Sequence, residues 1–168
     1  MKMDAQKTTT NVNATAPPRR LLLPVDATAP SRRGVRHALR RAQAGEAIEV
    51  CLLHVGETVR QWEVLRFRTP QEIARFQSER AQVFLDEAAR PLRAAGIASR
   101  AVFVEGDVVP SILDQAEQLA CAEIVLPAPA ARWRKLLSTD VVREVIARSA
   151  RSRSLSVVTV DEDGAPAP

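Results

Sequence analysis

The sequence has few of the residues that build reactive, redox or metal-binding sites. It holds two cysteines, two histidines and no tyrosine among 168 residues. Cys51 and Cys121 lie far apart without a partner motif, and neither histidine stands at metal-ligand spacing from them, which argues against a disulfide framework and a metal site. We therefore expect two small buried cysteines in a reduced, cytoplasmic protein that binds no metal ion.

The sequence also lacks a long hydrophobic run. A membrane-spanning helix needs about 20 apolar residues, whereas the longest early run, residues 21–25 (LLLPV), is interrupted by Pro24. The two ends show no apolar periodicity, so residues 1–18 are predicted to be a disordered N-terminal extension and residues 161–168 a flexible C-terminal tail. One soluble domain is expected over residues 19–160, without a membrane partner.

Five short apolar segments, partly β-branched, are predicted to be strands. They are residues 21–25, 48–55, 99–105, 123–126 and 155–160. Helical patterns fill the gaps between them. Strands without polar alternation that are joined by helices indicate a parallel sheet covered on both faces. The order therefore predicts a single α/β domain with a doubly wound open sheet.

The segment between the second and third predicted strands carries the most specific helix signals. Thr69 and Glu72 form a capping-box pattern, with Pro70 at the first helical position. Pro91 is predicted to kink or break this helix near its end, and Asp107 is predicted to cap the next one. The apolar spacing of the helix predicts a buried stripe. Its members are Ile73, Phe76, Phe84, Ala88, Leu92 and Ala95.

In an open parallel sheet, ligands bind at the carboxyl ends of the strands, where the winding reverses. Asp26 follows the first predicted strand, and His54 lies near the end of the second. Asp26 suits either a ligand contact or a turn carboxylate. For His54 a structural role at the strand end is favoured over that of a general base.

The segment after the fourth strand has the spacing of a phosphate-binding loop without its chemistry. Residues 124–146 (IVLPAPAARWRKLLSTDVVREVI) contain no glycine, although close contact between backbone and phosphate generally requires it. Pro127 and Pro129 have no amide hydrogen to donate. Asp140 adds negative charge near the helix start, where an anion would bind.

Positive charge is concentrated just beyond this loop. The chain carries a formal net charge of +4, whereas residues 132–153 alone contain seven basic and two acidic side chains, a net charge of +5. Such a patch suits nucleic acid, an acidic partner or a phosphorylated ligand, or is a solvated helix face. Trp133 is its only aromatic residue, so a platform for single-stranded nucleic acid is not favoured.

Four motifs in a fixed order carry a family resemblance: PVDATAPSRRGVRHAL, LLHV, EGDVVPSILDQAE and EIVL. Over residues 19–160 the chain resembles the universal stress protein family. The resemblance implies a doubly wound five-stranded sheet in the strand order 3-2-1-4-5 and a dimer. It also implies membership of one of two branches, of which one binds ATP and the other does not.

ATP-binding members of that family carry a strand-one aspartate and a glycine loop of the form G-x2-G-x9-G-[ST]. The resemblance transfers the aspartate to Asp26, and a valine near the adenine to Val55. The glycine-loop pattern falls on four residues of other types. They are Pro127, Ala130, Asp140 and Val141. Every spacing matches and every residue type differs, which implies the branch that does not bind ATP.

The chemistry of these differences disfavours ATP. A carboxylate about 4 Å from a phosphate charge costs about 4 kcal/mol at an effective dielectric of about 20. The Cβ of Ala130 also keeps the backbone away from a phosphate. Asp140 can instead cap the last helix from within. We therefore expect no bound cofactor.

The favoured function is a dimeric, stress-associated regulatory or interaction protein with an unknown protein partner. No nucleophile elbow and no Ser–His–Asp set points to an enzyme. A first alternative is a binder of a nucleotide or another phosphorylated small molecule through Asp26, Val55 and three cations of the loop. Those cations are Arg132, Arg134 and Lys135. A second, less favoured alternative is a nucleic-acid-associated protein that uses residues 132–153.

The last predicted strand is a sheet edge with little charge to protect it. Pairing with its symmetry mate would cover that edge and bury four apolar side chains. They are Leu155, Val157, Val158 and Val160. Residues 60–68 (RQWEVLRFR), with Trp62, Leu65 and Phe67, are a second candidate partner surface, or else they pack onto the neighbouring helix.

Overall fold

The computed structural model describes residues 17–56, 69–128, 139–151 and 154–167. Its strands are β1 (Arg19–Pro24), β2 (Ile48–Gly56), β3 (Ala98–Glu105), β4 (Glu123–Pro127) and β5 (Ser156–Val160). A 3-10 helix (Ala29–Arg32) precedes α1 (Arg33–Gln43), and the later helices are α2 (Pro70–Ala94), α3 (Val108–Gln118) and α4 (Thr139–Ser149). The candidate partner surface at residues 60–68 lies outside the described residues.

The strands form one parallel sheet in the order β3-β2-β1-β4-β5. This order confirms the predicted doubly wound α/β fold. Because β1 pairs with both β2 and β4, the winding reverses at β1. The carboxyl ends of these three strands meet at one edge of the sheet, which is where such folds hold ligands.

The continuous apolar strands arise because both faces of the sheet are covered. Leu21 and Leu23 point into a core shared with α1 and α2, whereas Leu22 points into a second core shared with α3 and α4. All three side chains are fully buried. Cys51 and Cys121 belong to the second core and are free thiols, which confirms the prediction of small buried residues.

The capping box at the start of α2 is confirmed. The Thr69 amide donates to Glu72 Oε2 at 2.8 Å, and the Glu72 amide donates to Thr69 Oγ1 at 3.2 Å. The helix continues through Pro91 to Ala94, so the prediction that Pro91 breaks it is wrong. Pro91 lacks the N–H that would donate to the carbonyl four residues earlier, so the helix gives up that one hydrogen bond and still continues for three more residues.

The predicted buried stripe of α2 is partly wrong. Phe76 is 60% exposed, and Ala95 lies exposed beyond the end of the helix. The 25 residues of α2 span about 38 Å, whereas the nine residues of β2 span about 30 Å, so the helix is longer than the sheet that it covers. The buried positions lie along the middle and the second half of the helix. They are Ala81, Leu85, Ala88, Ala89 and Leu92.

Asp107 occupies the N-cap position of α3, but its side chain makes no capping hydrogen bond there. The residue is exposed, so water can satisfy its carboxylate. The predicted cap is therefore correct in position and wrong in contact.

Residues 161–167 belong to the segment predicted to be a flexible tail, but in the structure they contact the domain. Gly164 is buried, and the Ala167 amide donates to the carbonyl oxygen of Thr159 at 2.7 Å. The packing of the domain therefore extends beyond the end of β5. Within the described ranges, no helix has the length and apolar character needed to cross a bilayer.

Candidate functional site at the carboxyl edge of the sheet

Asp26 lies at the reversal point, directly after β1, and is only 8% exposed. Its Oδ1 accepts hydrogen bonds from the amide and the hydroxyl of Thr28, with 2.7 Å to the amide nitrogen. Its backbone carbonyl accepts from Ser31 Oγ at 3.1 Å. These contacts fix the turn into the 3-10 helix, so the interpretation of Asp26 as a turn carboxylate is correct for one of its two oxygens.

The second carboxylate oxygen of Asp26 has no such role. Oδ2 is buried and has no hydrogen-bond partner among the described residues. A buried carboxylate oxygen without a donor is unfavourable, because the water that it lost has not been replaced. The site therefore holds a fixed acceptor that a ligand N–H or O–H group can satisfy.

His54 supports the turn that follows β1. Its Nδ1 lies 2.8 Å from the carbonyl oxygen of Val25, and that contact requires Nδ1 to donate because the carbonyl only accepts. The ring stacks on Phe103 at 6.0 Å and contacts Phe84 at 5.4 Å between centroids. The buried imidazole therefore joins the end of β2 to the end of β1.

The neighbouring strand end places two further residues at this edge. Val55, transferred from the family as an adenine contact, is 5% exposed and packs into the core shared with α3 and α4. Gly56 ends β2 under the Phe103 ring, where a Cβ would lie 2.9 Å from a ring carbon. The backbone at the end of β2 is thus held tightly beside the aspartate turn.

The loop after β4 begins without a free amide. Pro127 ends the strand and has no N–H. The next amide, that of Ala128, donates to the carbonyl oxygen of Val160 at 2.7 Å. Pro129 has no N–H either, although its position lies outside the described residues. Three consecutive positions therefore offer no backbone donor to a phosphate.

The far end of the loop is described from the start of α4. Asp140 is exposed in the first turn of α4, and Val141 is partly buried against the α3–α4 core. The remaining predicted loop residues lie outside the described part of the chain. They are Ala130, Arg132, Arg134 and Lys135.

A second polar cluster lies at the opposite, amino edge of the sheet, and sequence reasoning missed it. Glu123, the first residue of β4, is 4% exposed. Its carboxylate lies 2.8 Å from Arg41 Nη1, 3.1 Å from Arg19 Nη2 and 3.5 Å from His37 Nε2. The only signal in the sequence is a glutamate that directly precedes the apolar residues of a buried strand.

The electrostatics of Glu123 follow from this cluster. Burial pushes the pKa of its carboxyl upward, but the nearby His37 ring and the charges of Arg41 and Arg19 outweigh burial and hold that pKa below its ordinary value. The cluster joins α1 to β1 and β4 and lies away from the aspartate turn. We regard it as structural.

Three of the predicted dimer residues lie on the edge strand β5, and the fourth, Leu155, directly precedes it. Leu155, Val157 and Val158 are partly buried, whereas Val160 is fully buried and bridges antiparallel to Pro166. Val160 therefore packs inside its own domain rather than presenting an apolar side chain to a partner.

Comparison with known proteins identifies the family. Residues 18–152 match the model of the universal stress protein family. No curated protein matches the chain in sequence.

Solved structures share the fold. The chain is similar to the hypothetical protein MJ0577, with 22% identity and a TM-score of 0.66 over 84% of this chain and 95% of that one. It is also similar to an Arabidopsis thaliana universal stress protein family protein with AMP bound, with 13% identity and a TM-score of 0.60 over 86% and 92% of the two chains. A universal stress protein in complex with cAMP gives 19% identity and a TM-score of 0.57 over 84% and 96%.

Proposed function

The chain belongs to the universal stress protein family, and on that basis we propose that it is a non-catalytic, dimeric regulatory protein of the cytoplasm that does not bind ATP through a glycine loop. Its partner in this proposal is another protein. The observation that carries the proposal is the start of the loop after β4, where neither Pro127 nor Ala128 has an amide available to a phosphate.

The geometry of this loop start explains why ATP is disfavoured. Backbone N–H groups hold phosphates at strand-to-helix junctions because they donate without bringing side-chain bulk. Here the Ala128 amide is already bonded to Val160, so donating to a phosphate would break a contact between β4 and β5. Asp140 in the first turn of α4 adds a negative charge where a phosphate would approach.

The non-catalytic part of this proposal concerns the described residues at the carboxyl edge of the sheet. The imidazole of His54 is buried and bonded to a backbone carbonyl. Within the described ranges, no group of three or more His, Cys, Asp and Glu side chains could hold a metal ion. We accordingly assign the residues at the carboxyl edge to binding.

Thermal unfolding tests this proposal. We expect no shift in the midpoint with Mg-ATP at millimolar concentration, at low or physiological salt, because a ligand that binds only the folded state would raise the midpoint. A clear rise with Mg-ATP would contradict the proposal, and in that case Arg132 and Arg134 would be the first residues to replace by alanine.

A second candidate function, the binding of an adenine-type base, is favoured by one observation. Asp26 Oδ2 is a buried acceptor without a partner among the described residues, and the amino group of a planar aromatic base could satisfy it. Two similar structures contain AMP or cAMP. In this proposal the base and ribose contact the aspartate turn, and only the phosphates contact the loop after β4. Binding of the base therefore does not require glycines in that loop.

Adenosine, which has no phosphate, separates the two candidates. Saturable binding of adenosine together with no gain in affinity for ATP would support a base site without a phosphate site. No detectable binding of adenosine, AMP or cAMP would overturn the second candidate and leave the first intact.

A further inference from the structure

The chain turns back on itself after β5. The Asp161 amide donates to the Ala165 carbonyl at 2.9 Å, and Asp161 Oδ1 accepts from the amides of Asp163 and Ala165 at 3.0 and 2.9 Å. A short aspartate with these local bonds stabilises a tight turn. Residues 161–167, named the latch below, are therefore directed back along the strand that they follow.

The tip of the latch is docked on α1. Gly164 has φ of +76°, and a Cβ at this position would lie 2.5 Å from the His37 backbone nitrogen and 2.8 Å from the Arg36 carbonyl carbon. Only glycine permits both this conformation and this approach. The Gly164 carbonyl accepts a hydrogen bond from His37 Nδ1 at 2.9 Å. Backbone contact and side-chain contact thus hold the same residue.

A charged pair holds the latch beside this contact. Arg33 Nη2 lies 3.1 Å from Glu162 Oε1, and the Arg33 side chain is 9% exposed whereas that of Glu162 is 85% exposed. A pair with one exposed partner contributes little by itself. It adds to the Gly164 contacts on the same helix, so α1 is the surface that keeps the latch closed.

The end of the latch covers the outer edge of β5. The Ala167 amide donates to the Thr159 carbonyl at 2.7 Å, and Pro166 pairs antiparallel with Val160. The carbonyls of successive residues in a strand point to opposite sides. Because the Val160 carbonyl accepts from Ala128 on the β4 side, the Thr159 carbonyl points to the outer edge of the sheet. The latch therefore occupies a backbone acceptor that an added strand would need.

We propose that the latch closes the outer edge of β5 against strand addition by a second copy of this chain. The direction of the latch supports a second copy of this chain as the competing strand. Identical edge strands related by a two-fold axis run antiparallel, and Pro166 already runs antiparallel to Val160. A second β5 and the latch would thus compete for the same carbonyl in the same orientation.

This inference rests on the proposed function, because it uses the proposed dimer through β5 and adds what regulates it. In the closed state the latch supplies one short antiparallel contact. Pro166 lacks an N–H, so it cannot donate to a further strand, which is how natural proteins protect an edge. Opening the latch would replace this protected edge with a bare one.

Gly164→Ala is the point variant that opens the latch, because its Cβ cannot be placed against the α1 backbone. Gly45→Ala is the matched control: Gly45 also has a positive φ, of +88°, but a Cβ there meets no atom of the described residues within 4 Å. Both substitutions carry the conformational strain of a left-handed alanine. Only the first also disturbs a docking contact. Deletion of residues 165–168 is a second variant, which removes the edge contact and keeps Gly164.

The experiment is sedimentation equilibrium of the full chain and the three variants over a wide concentration range, with hydrogen exchange of the 155–167 peptide on the same samples. Folding of each variant is checked by circular dichroism. We expect Gly164→Ala and the deletion to dimerise at least about tenfold more tightly than wild type, a change of about 1.4 kcal/mol. Gly45→Ala should match wild type.

Three results would overturn the inference, and they differ in what else they affect. Equal dimer affinities, with faster exchange of the 155–167 peptide in Gly164→Ala, would show that the latch opens without regulating the edge, and the proposed dimer would stand. Monomers for every variant at every concentration would overturn the proposed dimer and the latch together. A Gly45→Ala variant that dimerises as tightly as Gly164→Ala would assign the effect to backbone strain alone.

Discussion

The Ala128 amide donates to the carbonyl oxygen of Val160 at 2.7 Å, and this bond ties the start of the loop after β4 to the last residue of β5. The bond uses the first amide that follows Pro127. On the side away from β4, the same Val160 forms an antiparallel bridge with Pro166. One strand end thus takes part in both the loss of phosphate donors and the closing of the sheet edge.

Asp26→Asn tests the candidate base site. The substitution keeps an oxygen for the bonds from Thr28 and replaces the second oxygen, which has no partner among the described residues, by an NH₂ group. Any adenosine binding should weaken by roughly 10- to 100-fold, as expected for the loss of a hydrogen bond to a charged acceptor. Calorimetric titration with adenosine measures it.

The control for this variant is Asp107→Asn, at an exposed aspartate that makes no side-chain capping bond. It should leave adenosine binding unchanged. Equal adenosine affinity of the Asp26→Asn variant and wild type would exclude Asp26 as the ligand contact.

Glu123→Gln tests the cluster at the amino edge. Because the folded protein lowers the pKa of Glu123, its ionised form contributes stability that is fully present above the unfolded pKa of about 4.3 and lost as pH falls through the folded value. The variant should therefore lose about 1–3 kcal/mol at pH 7 and show a flatter decline in acid. Urea unfolding from pH 7 to pH 3 measures both effects.

Glu46→Gln is the comparison for this experiment. Glu46 also pairs with Arg41, but its side chain is 46% exposed, so the change should cost less than about 1 kcal/mol. If Glu123→Gln kept the full acid dependence of wild type, the pH effect would belong to other carboxylates.

Val158→Asp tests the proposed dimer. Val158 packs partly against the α1–α2 core on the edge strand, so a carboxylate there would be buried without a partner in a β5–β5 interface. Light scattering should report monomers. Val158→Thr, with a similar shape and no charge, should remain dimeric, and dimers that persist in a folded Val158→Asp variant would rule out this interface.

Thr69→Ala tests the capping box that opens α2. The substitution removes the Oγ1 acceptor of the Glu72 amide and should lower the free energy of unfolding by about 1 kcal/mol. Gln71→Ala, at an exposed position of the same helical turn, should change it by less than about 0.5 kcal/mol. Urea unfolding of both variants gives the comparison, and equal stabilities would mean that the box contributes nothing measurable.

The fold was predictable because its signals are local. Apolar runs such as that containing Leu21, Leu22 and Leu23, separated by helical patterns, define a covered parallel sheet, and the capping box fixes where α2 begins. Phe76 was misassigned because periodicity identifies the apolar face of a helix without revealing where the sheet beneath it ends.

The candidate site was predictable only in part. Asp26 and Pro127 follow from strand ends and a family pattern, but a sequence does not show that the Ala128 amide is already bonded. The Glu123 cluster and the docking of Gly164 on α1 join residues 82 or more positions apart in the chain. Such contacts have no local pattern, so only the folded chain reveals them.

We propose that the loop after β4 does not hold the phosphates of ATP. Calorimetric titration of Mg-ATP into wild type and into the variant in which Pro127, Ala130 and Asp140 become Gly and Val141 becomes Ser tests this directly. We predict no measurable heat of binding for wild type at millimolar ATP and saturable binding for the variant. Micromolar binding of ATP by the wild-type protein would contradict the account.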